Sequence, residues 1–114
     1  SLGTLTAAKN VTFGDIRSNE DLKRIWIGLM EELIELAQIQ KVLLDESDIK
    51  DALAMILNFP ENAKSSFQLD IEGGHFGEKK TLVDEVISNS LKYELSCTNY
   101  RLLEREIAQK LVNN

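Results

Sequence analysis

Ser65-Ser66-Phe67-Gln68-Leu69-Asp70-Ile71-Glu72-Gly73-Gly74-His75-Phe76-Gly77-Glu78 is the stretch on which the fold turns. Two adjacent hydroxyls open a short helix, paired glycines stop it, and the chain returns through an aromatic residue to a carboxylate. Glycine adopts φ > 0 without a Cβ penalty, so Gly73-Gly74 ends the helix and reverses the chain within a few residues. A helix from Ser66 to Gly73 climbs about 10 Å, and an extended return from Gly74 to Glu78 covers about 13 Å, enough to come back alongside. Ser66 and Glu78 are therefore expected to line one cleft. A buried helix followed by a solvated glycine turn accounts for the same residues without a site.

The flanking sequence reads as helices. Leu22, Ile25, Trp26, Leu29, Leu33, Leu36 and Ala37 recur at three- and four-residue spacing, predicting a long helix to about residue 44 behind a capping box at Ser18-Asn19-Glu20-Asp21. Asp45 with Asp48 caps a second helix that Pro60 forbids from extending. A further helix is expected from about Glu78 to Leu95, and a last one, capped by Thr98 or Ser96, through Tyr100, Leu103, Ile107 and Leu111. Residues 9–14 read as a loop, with Asn10 as a helix C-cap and Phe13-Gly14 as a turn. Residues 1–8 carry Leu2, Leu5 and Ala8 at helical spacing, resemble the tail of an interrupted helix and are expected to lie uncovered, favouring self-association. Only Phe67-Gln68-Leu69-Asp70-Ile71 alternates as a strand would. The fold class is all-α, one domain over residues 1–114.

Composition narrows the function. Lys and Arg number 13 against 19 Asp and Glu, a net charge of −6 without a basic stripe, so nucleic acid is not an expected partner. No apolar run reaches the roughly 20 residues of a membrane span, and with one cysteine, Cys97, a reducing, cytoplasmic setting is the simpler reading. No metal is expected at His75, the only histidine. Cys97, just ahead of the last helix, reads as a packing residue, although a helix N-terminus can lower a thiol's pKa. Glu31-Glu32-x-x-Glu35 has the spacing with which all-α nucleotide pyrophosphohydrolases of the MazG type hold Mg²⁺, but the Glu-x-x-Asp those enzymes carry on a following helix is missing. A solvated helix face explains the three glutamates equally well.

Taken as a whole, the chain resembles the C-terminal domain of the ketopantoate reductase (2-dehydropantoate 2-reductase) family. Leu5-Thr6-Ala7 is similar to the family's Asn-Pro-Leu-Thr-Ala element, Thr12-Phe13-Gly14-Asp15-Ile16 to its Gly-Glu-Leu segment, and Ser65-Ser66-Phe67 to Ser-Ser-Met. Glu72-Gly73 followed by Gly77-Glu78 resembles Glu-Ala-Gly-Arg-x-Thr-Glu-[Ile/Leu]-[Asp/Glu], with the twelve-residue offset from Ser66 to Glu78 preserved. The resemblance implies a helical bundle like the 6-phosphogluconate dehydrogenase C-terminal-domain-like fold. It also implies that Ser66 binds the substrate's carboxylate end and that Glu78 is the acidic residue beside substrate and cofactor.

Gly3 stands where the family has its second asparagine, and Lys79-Lys80 replace an apolar-acidic pair. The family's general-acid lysine would fall about five residues before Ser1 by the motif spacing, and no glycine-rich βαβ unit occurs here. The expected parent is an NADPH-dependent reductase of a small 2-oxo acid in pantothenate biosynthesis. Its N-terminal Rossmann domain would hold the cofactor, none is expected on this piece alone, and homo-oligomers are anticipated. A non-catalytic all-α interaction or dimerisation module is the alternative from another class.

Overall fold

Helix α1, Leu2–Lys9, has the sequence Leu-Gly-Thr-Leu-Thr-Ala-Ala-Lys and no polar face, and a helix without one belongs inside. In the computed structural model Thr4, Leu5, Thr6, Ala7 and Ala8 are all buried, with α1 packed against three other helices. The expectation that residues 1–8 lie uncovered is thus corrected: their small side chains let neighbours close in from several sides. The structure describes residues 1–41, 45–60, 62–75 and 77–113, with the side chains of residues 46, 78 and 111–113 outside that description. Among the described residues every regular element is helical.

Asn10, at φ 55° and ψ 51°, closes α1 as expected. Residues 9–14 are not all loop, however, because α2, Phe13–Ser18, starts at Phe13. Thr12 and Asp15 form a reciprocal capping box: Asp15 N–H donates to Thr12 Oγ1 at 3.2 Å and Thr12 N–H to Asp15 Oδ2 at 2.9 Å. Helix α3, Glu20–Ile39, is capped one residue later than expected, by Asn19, whose Oδ1 accepts from Asp21 and Leu22 N–H. Ser18 instead donates to Gly14 O, within α2. α3 stops at Ile39, short of the expected limit, and residues 42–44 lie outside the described set.

Helix α4, Glu46–Ile56, carries the predicted Asp45/Asp48 box. Arg17 of α2 donates to the carbonyls of Leu57 and Phe59, at 3.3 and 3.0 Å, where the end of α4 leaves acceptors without helical partners. Helix α5, Ser66–Glu72, settles the alternating stretch: Phe67, Gln68 and Ile71 are buried at helical spacing while Leu69 is 54% exposed. Gly74 at φ 81° ends it, with His75 N–H on Asp70 O and Gly74 N–H on Ile71 O.

The helix expected over 78–95 runs without a break from Gly77 to Lys92, with a π-helical turn inside it. A single turn α6, Gly77–Lys79, runs into a π-helical turn, Lys80–Asp84, and then α7, Glu85–Lys92. Val83 is buried and Val86 and Ile87 pack against the core as expected, whereas Leu82 and Leu91, also expected on the inner face, are 42% and 50% exposed.

Helix α8, Thr98–Asn113, buries Tyr100, Leu103 and Ile107. Its start is held from a distance. Both Glu32 oxygens serve it: Oε2 accepts from Asn99 N–H at 2.9 Å and Asn99 Nδ2 at 2.8 Å, and Oε1 accepts from Tyr100 N–H at 3.0 Å. These amides belong to the second and third residues of α8 and have no partner within the helix. Glu32 thus does what the sequence assigned to Thr98 or Ser96, and its engagement leaves the Glu31-Glu32-x-x-Glu35 metal reading without its central ligand. Among the described residues no group of three or more histidine, cysteine or carboxylate side chains is placed to hold a metal.

One turn before Glu32, Gly28 makes room. A Cβ there would lie 2.4 Å from Asn99 Nδ2, so glycine leaves the Asn99 amide room to stay on Glu32. The Cys97 thiol is raised by burial and by the Glu32 charge, opposite to the lowering that a helix N-terminus alone would produce.

Two outcomes follow for unfolding of the purified chain in urea. Glu32→Ala should lose about 2–3 kcal/mol, the worth of hydrogen bonds to a charged acceptor with the amides left unpaired; a loss below about 0.5 kcal/mol would mean water replaces the cap. Gly28→Ala should destabilise despite alanine's better helix propensity, worth about 1 kcal/mol. The same change made on an Asn99→Ala background should cost less, because the crowded amide is then gone.

Candidate functional site

The two motif elements expected to meet at a site, residues 5–7 and 65–67, are joined by a chain of hydroxyls. Gln68 N–H donates to Ser65 Oγ at 3.0 Å, Ser65 Oγ and Thr6 Oγ1 are 2.7 Å apart, and Thr6 Oγ1 donates to Gly3 O at 3.1 Å. With one proton per hydroxyl, the run is consistent in one direction only, Gln68 to Ser65 to Thr6 to Gly3. Ser65 is therefore a helix cap and a link to α1 at once. Gly3 packs against this pair: a Cβ there would make ordinary van der Waals contact, 3.4 Å from Phe67 Cβ and 3.7 Å from Ser65 Oγ.

The far end of the same helix pair is tied as well. Buried Gln68 donates from Nε2 to Asn10 Oδ1 at 3.3 Å and to Glu72 Oε1 at 3.4 Å, and Lys64 Nζ meets Glu72 at 3.0 Å. With both ends pinned, α5 has a defined rotation about its own axis. Ser66 is exposed in its first turn, next to the Ser65 and Phe67 contacts with Gly3. Of the two adjacent hydroxyls, Ser65 is committed to the fold and Ser66 lies outside that run of bonds.

The backbone of Glu78 is the second residue of α6, four residues after Gly74, and its side chain lies outside the described residues. Lys79, next in the chain, is a residue whose partners the sequence did not reveal. Its Nζ is 2.9 Å from Asp84 Oδ1 and 3.1 Å from Glu104 Oε1 on α8. A lysine and an aspartate five apart do not face each other on an α-helix, so no spacing rule flags them.

One other ionisable group near α1 is structural. The Tyr100 phenol is pushed far up by burial and by the Glu32 charge, and its bond with Thr4 only partly offsets this, so it stays a neutral strut between α8 and α1. His75 is exposed beside the glycine turn, where a Cβ on Gly73 would touch its ring at 3.3 Å. No described helix is long and apolar enough to cross a membrane.

The residues described offer no dinucleotide cradle. The glycine pair stands at the C-terminal end of a helix, where the dipole repels phosphate, and no strand precedes it.

The architecture is shared with solved structures. A dimeric ketopantoate reductase from Staphylococcus aureus superposes with a TM-score of 0.88 at 13% identity, over 98% of this chain and 39% of that one. A PanE/ApbA family ketopantoate reductase from Ralstonia eutropha JMP134 gives 0.83 at 19% identity, over 97% and 37%. A D-mandelate dehydrogenase, solved with NADH and anilino(oxo)acetate, gives 0.81 at 14% identity, over 98% and 37%. The chain thus spans less than two-fifths of each of these proteins. No curated protein matches it by sequence. The family described as "Ketopantoate reductase PanE/ApbA C terminal" matches residues 1–111, and the chain belongs to that family.

Proposed function

We propose that this chain is the substrate-side domain of an NADPH-dependent 2-oxo acid reductase similar to 2-dehydropantoate 2-reductase, acting in pantothenate biosynthesis in the cytoplasm. The observation that carries the reading is the division of labour at Ser65-Ser66. Ser65 binds α5 to the family's Leu-Thr-Ala element through Thr6, which leaves the Ser66 hydroxyl at the start of the same helix for a ligand.

In this reading Ser66 donates to the carboxylate end of the oxo acid, fixing its orientation, and Glu78 lies beside substrate and cofactor. Cofactor binding falls to an N-terminal Rossmann domain, since the residues described hold no cradle for it. When bound between the domains, NADPH supplies the hydride for the 2-oxo carbon. The lysine that the family carries ahead of the Leu-Thr-Ala element would protonate the developing alkoxide. Homo-oligomerisation belongs to the same proposal, supported by the dimer described for the Staphylococcus aureus relative.

In the full-length protein, Ser66→Ala and Glu78→Gln should each lower kcat/KM for ketopantoate at least about tenfold, roughly 1.4 kcal/mol of transition-state stabilisation, with unchanged melting temperatures. Retained activity in both variants would remove the site assignment and leave the fold. The 114-residue chain alone should show no NADPH-dependent reduction of ketopantoate, and measurable turnover would contradict the roles given to the missing lysine and cofactor domain.

A further inference from the structure

The turn carrying Glu78 stands at the N-terminal end of a helical run. α6 is 3 residues long and continues without a break through the π-helical turn and α7 to Lys92, so Glu78 lies in a terminal turn, where helices fray, just beyond the Gly73-Gly74 turn. Immediately after it the helix widens into the π-helical turn, where Glu85 N–H donates to Lys80 O, one residue beyond the α-helical acceptor. Such turns are rare and concentrate at functional sites.

Here the wider turn has a visible product. It brings Asp84 round to Lys79, whose Nζ lies 2.9 and 3.2 Å from the two carboxylate oxygens. The same ammonium reaches across to Glu104 of α8 at 3.1 Å, and the Lys79 side chain is only 11% exposed. Burial pulls the ammonium's pKa down, but the two carboxylates outweigh it and the group stays charged with its pKa raised. A screened cation between two anions on different elements is a clamp: removing it leaves both carboxylates uncompensated. The position is apolar in the family motif that Gly77-Glu78 resembles, so this ion cluster is a feature of the present chain.

Resting on the reading of Glu78 given above, we propose that Lys79 is a positioning residue for Glu78. By clamping the π-helical turn to α8, it fixes the backbone of the single helical turn that carries Glu78. Ketopantoate is the probe, and four variants of the full-length protein form the test: Lys79→Met, Lys79→Arg, Glu78→Gln and the Lys79→Met/Glu78→Gln pair. Lys9→Met serves as control, since Lys9 makes a comparable 2.7 Å ion pair with Glu106 of α8 away from this turn.

Lys79→Met should speed hydrogen exchange of the amides of residues 77–84 at least about tenfold, while Lys9→Met leaves them alone. It should also lower kcat/KM at least about threefold, divided between kcat and KM as Glu78→Gln divides it, and Lys79→Arg should restore most of the loss. In the Glu78→Gln background Lys79→Met should cost nothing further, the signature of acting through that residue. Unchanged exchange at 77–84, or an additive loss in the double variant, would overturn the proposal. If exchange rises but Glu78→Gln itself is silent, the site reading has failed, and the positioning role falls with it.

Discussion

The carboxylate of Glu32 at the start of α8 is the interaction on which the packing depends. One side chain occupies two backbone amides and one side-chain amide, and it supplies negative charge where the helix dipole favours it. Because the bonds run from α3, they fix both where α8 begins and how it is rotated, which puts Tyr100, Leu103 and Ile107 into the core. The charge is felt nearby as well. It adds to burial in raising both Cys97 and Tyr100, so neither group ionises near neutrality and the region behaves as structure.

Around this joint the small residues matter as much as the large ones. Gly28 lets α3 lie close against the Asn99 amide. Thr4 and Thr6, buried at 2% and 0% exposure, bring hydroxyls into contacts that leucine-sized residues would hold apart. The result is a central helix satisfied on every side, by Tyr100 through Thr4 and by Ser65 through Thr6. Such a helix can deliver a residue upstream of it to a fixed place, which is what the proposed reductase needs of α1.

Rigidity is distributed unevenly. α5 is bound to α1 at both ends, whereas α6 stands at the N-terminal end of its helical run and is tied to α8 through Lys79. The proposed site therefore draws one residue from the firmly held side, Ser66, and one from a terminal helical turn, Glu78. Binding and catalytic groups commonly divide in this way, with a rigid scaffold presenting residues on shorter segments.

What was legible in the sequence was local. The Asp45/Asp48 box, the Asn10 cap and the Gly73-Gly74 stop all involve partners within about four residues, so spacing alone reveals them. The all-α class followed from the same periodicity, and the motif offsets pointed to the family. Helix α2, which the sequence reading did not anticipate, was also written locally, in Thr12 and Asp15, and was passed over because Phe13-Gly14 reads as a turn. Other features had no local signature. Glu32 and Asn99 are 67 residues apart, Thr6 and Ser65 59, and Lys79 and Glu104 25. Their pairing depends on how whole helices pack, and the π-helical turn exists where that packing favours an ion pair no α-helical spacing allows. Sequence by itself determined most of the helical segments, because their periodicity and caps are local; only the tertiary structure decided that a tail is the central helix, that a surface glutamate is a cap, and which of two serines is tied to α1, because those pairings depend on how whole helices pack.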